Sequence, residues 1–128
     1  MKYLWDTNTA VYYLQQRFPP NAEKFIDELL KENQPVISAI TEIELMWWKT
    51  ATEKDSVVLS NFINDALVIE LEQTIKFKTA EIRKARRIKL PDAIIAATAV
   101  IYNLTLPNRN LSDFGSIGGL KIINPWNM

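Results

Sequence analysis

Short apolar runs alternate along the chain with longer segments in which apolar residues recur at helical spacing. The runs are typical of buried strands in a parallel sheet, and five of them are present, at residues 3–5, 36–38, 67–71, 104–106 and 120–123. Helical segments fill the intervals, from residues 9–17 to the strongly apolar stretch that begins at Leu90. This alternation predicts an α/β fold with a central, mostly parallel sheet of about five strands and helices on both faces. The length of 128 residues suits a single domain over residues 1–128.

An acidic residue ends the first predicted strand. Asp6 directly follows residues 3–5, and Thr7 and Asn8 come next. All three residue types are good N-caps, so capping of the following helix would by itself explain Asp6. Ligands of open α/β sheets, however, bind beyond the carboxyl ends of the strands, where Asp6 is predicted to lie. A chemical role for Asp6 therefore depends on other acids that the fold brings to the same edge.

Three further acids stand at comparable places in the predicted order. Glu44 lies in a predicted helix over residues 40–51, Asp92 lies in the first turn of the apolar helix, and Asp113 follows the fourth strand. At 100° per residue, Glu44 shares a helical face with Ile43 and Trp47, so it is either buried there or lies at the border of that face. Asp92 suits a helix N-terminus, whether as a cap or as an ionised ligand. Right-handed crossovers would bring these acids to one edge, where clustered carboxylates need a cation.

Two residue types are missing, and their absence excludes several kinds of chemistry. The chain has no cysteine, so disulfides, zinc–thiolate sites and thiol nucleophiles are excluded, and a cytoplasmic location is natural. It has no histidine, so Ser-His-Asp catalysis and imidazole ligands are excluded as well. A hydrolytic enzyme of this composition would have to use carboxylates with a hard cation such as Mg²⁺ or Mn²⁺. No apolar run approaches 18 residues, so we expect no membrane partner.

Charge gives little support for nucleic-acid binding on its own. Fifteen basic and fifteen acidic residues cancel. The basic residues do cluster between positions 83 and 89, at the predicted end of a helix. Such a cluster is usually a solvated face that complements the helix C-terminus. Contact with phosphate groups is the alternative.

Two other classes of small, acid-rich α/β domain are disfavoured. A phosphoacceptor signalling domain needs an aspartate at the end of the third strand, where this chain has Glu72 and Gln73. A phosphatase that uses an Asp-x-Asp pair after the first strand needs a second acid where this chain has Asn8.

Four stretches of the chain resemble the motifs of PIN-domain proteins. They are Leu4-Trp5-Asp6-Thr7-Asn8 and the stretches 38–45, 89–99 and 109–114, and the ending 120–126 is similar as well. The resemblance covers essentially the whole chain and is most specific over residues 90–99, which begin Leu90-Pro91-Asp92-Ala93. Within the family it points to VapC-type toxins of prokaryotic toxin–antitoxin pairs. It implies a compact three-layer α/β/α domain whose acids hold Mg²⁺ or Mn²⁺ for cleavage of RNA phosphodiester bonds.

The resemblance also assigns roles to individual residues. Carried over by position, it implies that the metal-binding and catalytic acids are Asp6, Glu44, Asp92 and Asp113. Asn108 stands where the family has a threonine or serine, so it offers no hydroxyl. The resemblance further suggests supporting or RNA-contacting roles for Thr7, Asn8, Asn108, Asn110, Arg83, Arg86 and Arg87.

The implied partners are an RNA substrate, a cognate antitoxin protein and a second copy of the chain. In the predicted helix 40–51, Leu45 and Met46 fall toward the outer flanks and Trp47 and Trp48 are bulky. Packing in the core is one explanation for these residues, and a homodimer surface or an antitoxin groove is the other. The alternative function is a catalytically inactive PIN-like module that acts through protein or RNA binding.

Overall fold

The computed structural model describes residues 1–50, 52–109, 112 and 114–128. Its helices are α1 (Thr7–Leu14), α2 (Pro20–Glu32), α3 (Ala39–Trp47), α4 (Glu53–Asp65), α5 (Gln73–Ala85) and α6 (Leu90–Ile101). Its strands are β1 (Val36–Ser38), β2 (Leu67–Ile69), β3 (Thr105–Pro107) and β4 (Lys121–Ile123), and a short 3₁₀ turn follows over Pro125–Asn127. The order of elements is the predicted one.

Residues 3–5 join two pairs of parallel strands into one sheet. β1 pairs with β2 and β3 pairs with β4, both in parallel. Tyr3 forms a parallel bridge to Thr105 in β3, and Trp5 forms one to Ile37 in β1. The order across the sheet is therefore β2, β1, residues 3–5, β3 and β4. The prediction of a parallel sheet of about five strands is confirmed, although the first strand makes only single bridges on each side.

The two faces of the sheet bury separate clusters, because successive side chains of a strand point to opposite faces. Leu4 packs into a cluster that includes Ile75 and Ile82 of α5 and the apolar side of α6. Trp5, the next residue, packs into a second cluster with Ile26 of α2 and Phe62 of α4. Helices thus cover both faces, and the predicted three-layer α/β/α arrangement is confirmed.

The most apolar helix, α6, belongs to the core. All seven residues from position 93 to position 99 are buried, which agrees with apolar side chains around most of its circumference. α6 has 12 residues. Within the described part of the chain, no helix is both long enough and apolar enough to cross a membrane.

The orientation of α3 differs from the prediction. The helix ends at Trp47, and it buries Leu45 completely while leaving Ile43 54% and Trp47 70% exposed. The predicted face, which placed Ile43 and Trp47 inward and Leu45 on a flank, is therefore wrong. Apolar residues occupy most positions of this helix, so their spacing does not select one face. The end of β1 determines which face of α3 is buried. Ser38, the last residue of β1, is also the N-cap of α3 and accepts a hydrogen bond from the Ile40 amide (3.0 Å), so the rotation of the helix is fixed where it begins.

Candidate acidic site at the sheet edge

The carboxyl ends of the central strands place polar side chains at one edge of the sheet. Asp6 follows residues 3–5, Ser38 ends β1 and Asn108 follows β3. Because these strands are parallel and adjacent, their ends lie side by side. This is the edge at which open α/β sheets bind ligands.

Asp6 is both a helix cap and a buried acid. Its side chain is N-cap of α1, and Oδ1 accepts a hydrogen bond from the Thr9 amide at 2.8 Å. Its second oxygen, Oδ2, accepts a hydrogen bond from Nδ2 of Asn108. The capping role considered from the sequence is therefore confirmed. Capping does not explain why the residue is only 4% exposed, since a cap usually forms at the surface.

Burial, and to a smaller extent the nearby negative charge of Asp92, raise the pKa of Asp6 from 3.8 to about 6. Hydrogen bonds from Thr9 and Asn108 act in the opposite direction and favour the ionised form. Asp92 lies half-buried in the first turn of α6. Among the described residues, no basic side chain forms an ion pair with Asp6. The structure therefore brings two predicted acids together without a protein cation at Asp6.

Glu44 reaches this edge through Thr7. The hydroxyl of Thr7 donates a hydrogen bond of 2.6 Å to Oε1 of Glu44, and it lies 3.1 Å from the hydroxyl of Thr41. A hydroxyl has one proton to donate. Since Thr7 gives that proton to the carboxylate, Thr41 is the donor toward Thr7. Glu44 is half-buried beside α1, neither enclosed by apolar side chains nor free in solvent, and its carboxylate is held by Thr7, the residue that follows Asp6.

Asn108 orients Asp6 from the opposite side. Its backbone amide donates to the carbonyl of Ile123 at 2.9 Å, which fixes residue 108 to β4. The hydroxyl of Thr9 donates to the carbonyl of Pro107 at 3.0 Å and ties α1 to the end of β3. Asn108 lacks the hydroxyl of the family motif, yet its amide supplies a hydrogen-bond donor to the carboxylate of Asp6.

The donor set fits a hard divalent cation. Mg²⁺ and Mn²⁺ prefer carboxylate oxygens, and a buried carboxylate beside a second acid is stabilised by a positive charge. Within the described residues, however, no three acids are grouped closely enough to hold an ion on their own. Two predicted residues, Asp113 and Asn110, lie outside the described residues. The structure thus places Asp92 near Asp6, and metal binding by Asp6, Asp92 and Glu44 stays a prediction.

A cavity of about 390 Å³ opens beside Asp6. It is lined by Asp6, Asn8, Thr9, Tyr12, Asn108, Arg109 and Trp126. Four of these residues were not predicted from the sequence to belong to the site, namely Thr9, Tyr12, Arg109 and Trp126. A signal existed for Thr9, because an N-cap bonds the amide three residues later. No local signal links Tyr12 to Trp126, because only the fold brings these two rings together.

The basic cluster has a partly structural role. Arg86 donates to the carbonyl of Phe114 at 2.9 Å and lies 3.5 Å from the hydroxyl of Ser116, so it holds the loop before β4. Arg83 donates to the carbonyl of Ile88 at 3.2 Å and closes the turn after α5. Arg87 is exposed. Contact of these side chains with RNA stays a prediction.

The chain is similar to known PIN domains in sequence and in structure. A family model of the PIN domain matches residues 3–109. None of the curated protein sequences compared with the chain matches it significantly.

Three solved structures illustrate the structural similarity. A chain of DNA-bound VapBC from Salmonella typhimurium is 25% identical, with a TM-score of 0.81 and coverage of 98% of both chains. A chain of VapBC2 from Rickettsia felis, bound to a fragment of promoter DNA, is 26% identical, with a TM-score of 0.77 and coverage of 97% of this chain and 98% of that one. A toxin–antitoxin complex from Klebsiella pneumoniae contains a chain that is 29% identical, with a TM-score of 0.71 and the same coverage.

Proposed function

Since the chain belongs to the PIN-domain family, we propose that it is a metal-dependent endoribonuclease and the toxin of a toxin–antitoxin pair. The observation that carries the catalytic part is the carboxylate of Asp6, which is buried next to Asp92 without a basic partner in the described part of the chain. A divalent cation would offset the negative charge of the two carboxylates, whereas a residue that only caps a helix does not have to be buried next to a second acid. Family membership and the acidic edge support the same reaction, hydrolysis of a phosphodiester bond.

Mg²⁺ or Mn²⁺ would be held by Asp6 and Asp92, with Glu44 and Asp113 completing the site directly or through water. When bound, such an ion lowers the pKa of a water molecule and offsets negative charge on the reacting phosphate. The chain contains no histidine, so no imidazole can act as the base that activates the water molecule.

The surrounding residues position the acids. The Thr9 amide and the Asn108 side chain each hold one oxygen of Asp6, so its carboxylate plane is fixed before any ligand binds. Thr7 fixes the carboxylate of Glu44 in the same way. Preorganised ligands cost little reorganisation at the moment of reaction, which is a major source of catalytic power.

RNA cleavage by the wild type and by Asp92→Asn in Mg²⁺ or Mn²⁺ tests the proposal. We expect the variant to lose about 100-fold or more of its activity, because it loses a negatively charged ligand without loss of volume. Asp27→Asn is the matched control, since Asp27 is an exposed acid in the middle of α2. Equal cleavage by the wild type and Asp92→Asn would rule out the assigned site.

Calorimetric metal titration distinguishes this proposal from the second candidate, an inactive PIN-like module that acts through binding. An intact site should bind Mn²⁺ in the wild type and in Asp27→Asn but lose affinity in Asp6→Asn. A module without a metal site would show no binding that depends on Asp6.

An exposed apolar surface on α3 is the basis for proposing protein partners. Ile43, Met46 and Trp47 are 54%, 64% and 70% exposed and form what we call the α3 patch. Exposed apolar residues on one helix are characteristic of protein interfaces. We propose that a cognate antitoxin or a second copy of the chain covers the α3 patch in the cytoplasm, where RNA is available.

Co-expression tests the partner proposal. A small antitoxin-like reading frame beside the gene should encode a protein that co-purifies with the chain and suppresses its RNase activity. Light scattering gives the oligomeric state of the wild type and of Trp47→Ser, and it therefore distinguishes a homodimer surface from an antitoxin surface. A loss of the dimer in the variant assigns the α3 patch to self-association, and a loss of antitoxin binding alone assigns it to the antitoxin.

A further inference from the structure

The cavity beside Asp6 has two chemically different sides. Polar side chains, including Asp6, Asn8 and Asn108, form the side toward the sheet edge. Two half-buried aromatic residues, Tyr12 and Trp126, form the other. A metal site requires oxygen ligands and has no use for aromatic walls. The aromatic side is therefore suited to a second component of the ligand that has a flat, apolar face.

The aromatic side is held in place from behind. The ring of Trp126 packs against Phe18, with centroids 5.2 Å apart, and against Tyr12, with centroids 5.6 Å apart and the planes at 66°. Phe18 does not line the cavity, so it acts as a support. A ring fixed in this way offers contact area at a low cost in side-chain entropy.

Asn21 and Asn124 fix the backbone that carries Trp126. Nδ2 of Asn21, in α2, lies within hydrogen-bond distance of the carbonyls of Trp126 (3.0 Å) and Met128 (2.8 Å). Asn124 caps the 3₁₀ turn by accepting from the Trp126 amide at 2.9 Å, and its Nδ2 donates to the carbonyl of Arg109 at 3.3 Å. The turn with Trp126 and the loop with Arg109 are therefore linked.

Arg109 provides a positive charge at the same cavity. Its side chain is exposed, and Nη1 lies 3.5 Å from the hydroxyl of Tyr12. An exposed guanidinium beside aromatic rings is suited to a phosphate or to the face of a base. Asn8, also exposed, offers an amide with both a donor and an acceptor.

We propose that this cavity binds one unpaired nucleobase of the RNA, adjacent to the phosphate that is cleaved at Asp6 and Asp92. The base stacks on the wall formed by Trp126 and Tyr12, and Arg109 contacts the neighbouring phosphate. Single-stranded RNA is recognised by stacking of splayed bases on aromatic side chains, whereas a base within a duplex does not expose its face. The inference rests on the proposed ribonuclease function and adds a binding subsite to it, in which one unpaired base stacks on Trp126.

Binding without catalysis gives the first test. In an Asp92→Asn background, fluorescein-labelled oligo-A, oligo-U and oligo-C RNAs are titrated by fluorescence anisotropy in buffer with EDTA. Trp126→Leu should weaken binding of the preferred oligonucleotide by roughly 5- to 100-fold, the effect of one lost stacking contact, while Trp126→Phe retains most of the affinity. Phe77→Leu is the matched control, because it removes an aromatic ring of α5 that is 67% exposed and does not line the cavity. Thermal unfolding of each variant confirms that the fold is retained.

Abasic nucleotides locate the stacked base. In the catalytically active protein, a single abasic nucleotide is placed at each position next to the mapped cleavage site. One position should reduce kcat/KM in the wild type by roughly 5- to 100-fold and have little effect in Trp126→Leu, because the ring and the base contribute to the same contact.

The outcomes separate the two levels of the proposal. If RNA is cleaved but Trp126→Leu binds and cleaves like the wild type, the nucleobase site is refuted and the ribonuclease function stands. Independent effects of the abasic position and of Trp126→Leu would also refute the site. If the wild type neither binds nor cleaves RNA, the ribonuclease proposal fails, and the nucleobase site fails with it.

Discussion

Asp6→Asn should stabilise the metal-free protein at neutral pH. Burial and the charge of Asp92 raise the pKa of Asp6 from 3.8 to about 6, so the ionised carboxylate is less favourable in the folded chain than in the unfolded one. Each tenfold change in proton affinity is worth about 1.4 kcal/mol, so the penalty above pH 6 amounts to about 3 kcal/mol. Asparagine removes the charge and keeps an oxygen that can accept the Thr9 amide. The NH₂ group of the substituted side chain would, however, face the NH₂ group of Asn108, and two donors cannot bond to each other. This reduces the gain in the free energy of unfolding, which we expect to be about 1–3 kcal/mol.

The raised pKa of Asp6 determines how the stability difference between Asp6→Asn and the wild type changes with pH. Between pH 3.8 and about 6, Asp6 is protonated more in the folded state than in the unfolded state, so the contribution of Asp6 to the stability of the wild type falls as the pH rises through this window. Below pH 3.8 Asp6 is protonated in both states, and the penalty is absent. The difference between Asp6→Asn and the wild type should therefore be small near pH 3.5 and largest above about pH 6.5.

Urea denaturation from pH 3.5 to 8, in EDTA, measures this difference as a change in the midpoint at constant m-value. Asp27→Asn serves as the control for a change of acid to amide at an exposed position. A wild type that is more stable than Asp6→Asn at pH 8, or a difference that does not change with pH, would refute the electrostatic explanation. Added Mn²⁺ at about 100 times its dissociation constant should stabilise the wild type by about 2.7 kcal/mol and leave Asp6→Asn almost unchanged.

Three further predictions test other parts of the structure. Asn108→Ala removes a donor that favours the ionised form of Asp6, so the pH at which Mn²⁺ binding is half-maximal should rise by about one unit in calorimetry; an unchanged pH profile would contradict the orienting role of Asn108. Leu45→Ala should cost about 2–5 kcal/mol in urea denaturation while Met46→Ala costs less than about 0.5 kcal/mol, since Leu45 is fully buried and Met46 is 64% exposed; the reverse order would restore the orientation of α3 expected from the sequence. Gly115→Ala should destabilise the fold by about 1–3 kcal/mol, because a φ of +51° strains an alanine and the added Cβ would move Nη1 of Arg86, which donates to the Phe114 carbonyl; Gly118→Ala, where a Cβ meets no atom within 4 Å, is the control.

The order of the elements could be predicted from the sequence because the apolar runs and the helical periods differ clearly in length. The position of Asp6 followed from the same pattern, since a charged residue that ends a buried strand must lie at the sheet edge. Asp92 followed from its place in the first turn of an apolar helix. These are local features, and each is encoded within about ten residues.

The orientation of α3 and the aromatic wall of the cavity could not be predicted in the same way. In α3 almost every face carries an apolar residue, so the strand that precedes the helix decides which face is buried. Tyr12 and Trp126 are 114 positions apart in the sequence, and their contact depends on Asn21 and Asn124 holding the 3₁₀ turn against α2. The amide of Asn108 likewise acquires its role only through the neighbouring end of residues 3–5.

The central position of residues 3–5 has a consequence for how the chain folds during synthesis. Leu4 and Trp5 leave the ribosome well before β3, yet the Leu4 amide donates its hydrogen bond to the carbonyl of Thr105, about 100 residues later. The middle of the sheet therefore stays open until β3 has been made, and Asp6 cannot meet Asn108 before then. Contacts of such long sequence separation form late and slowly. A nascent chain would thus remain without its acidic site until β3 has been translated and has paired with residues 3–5.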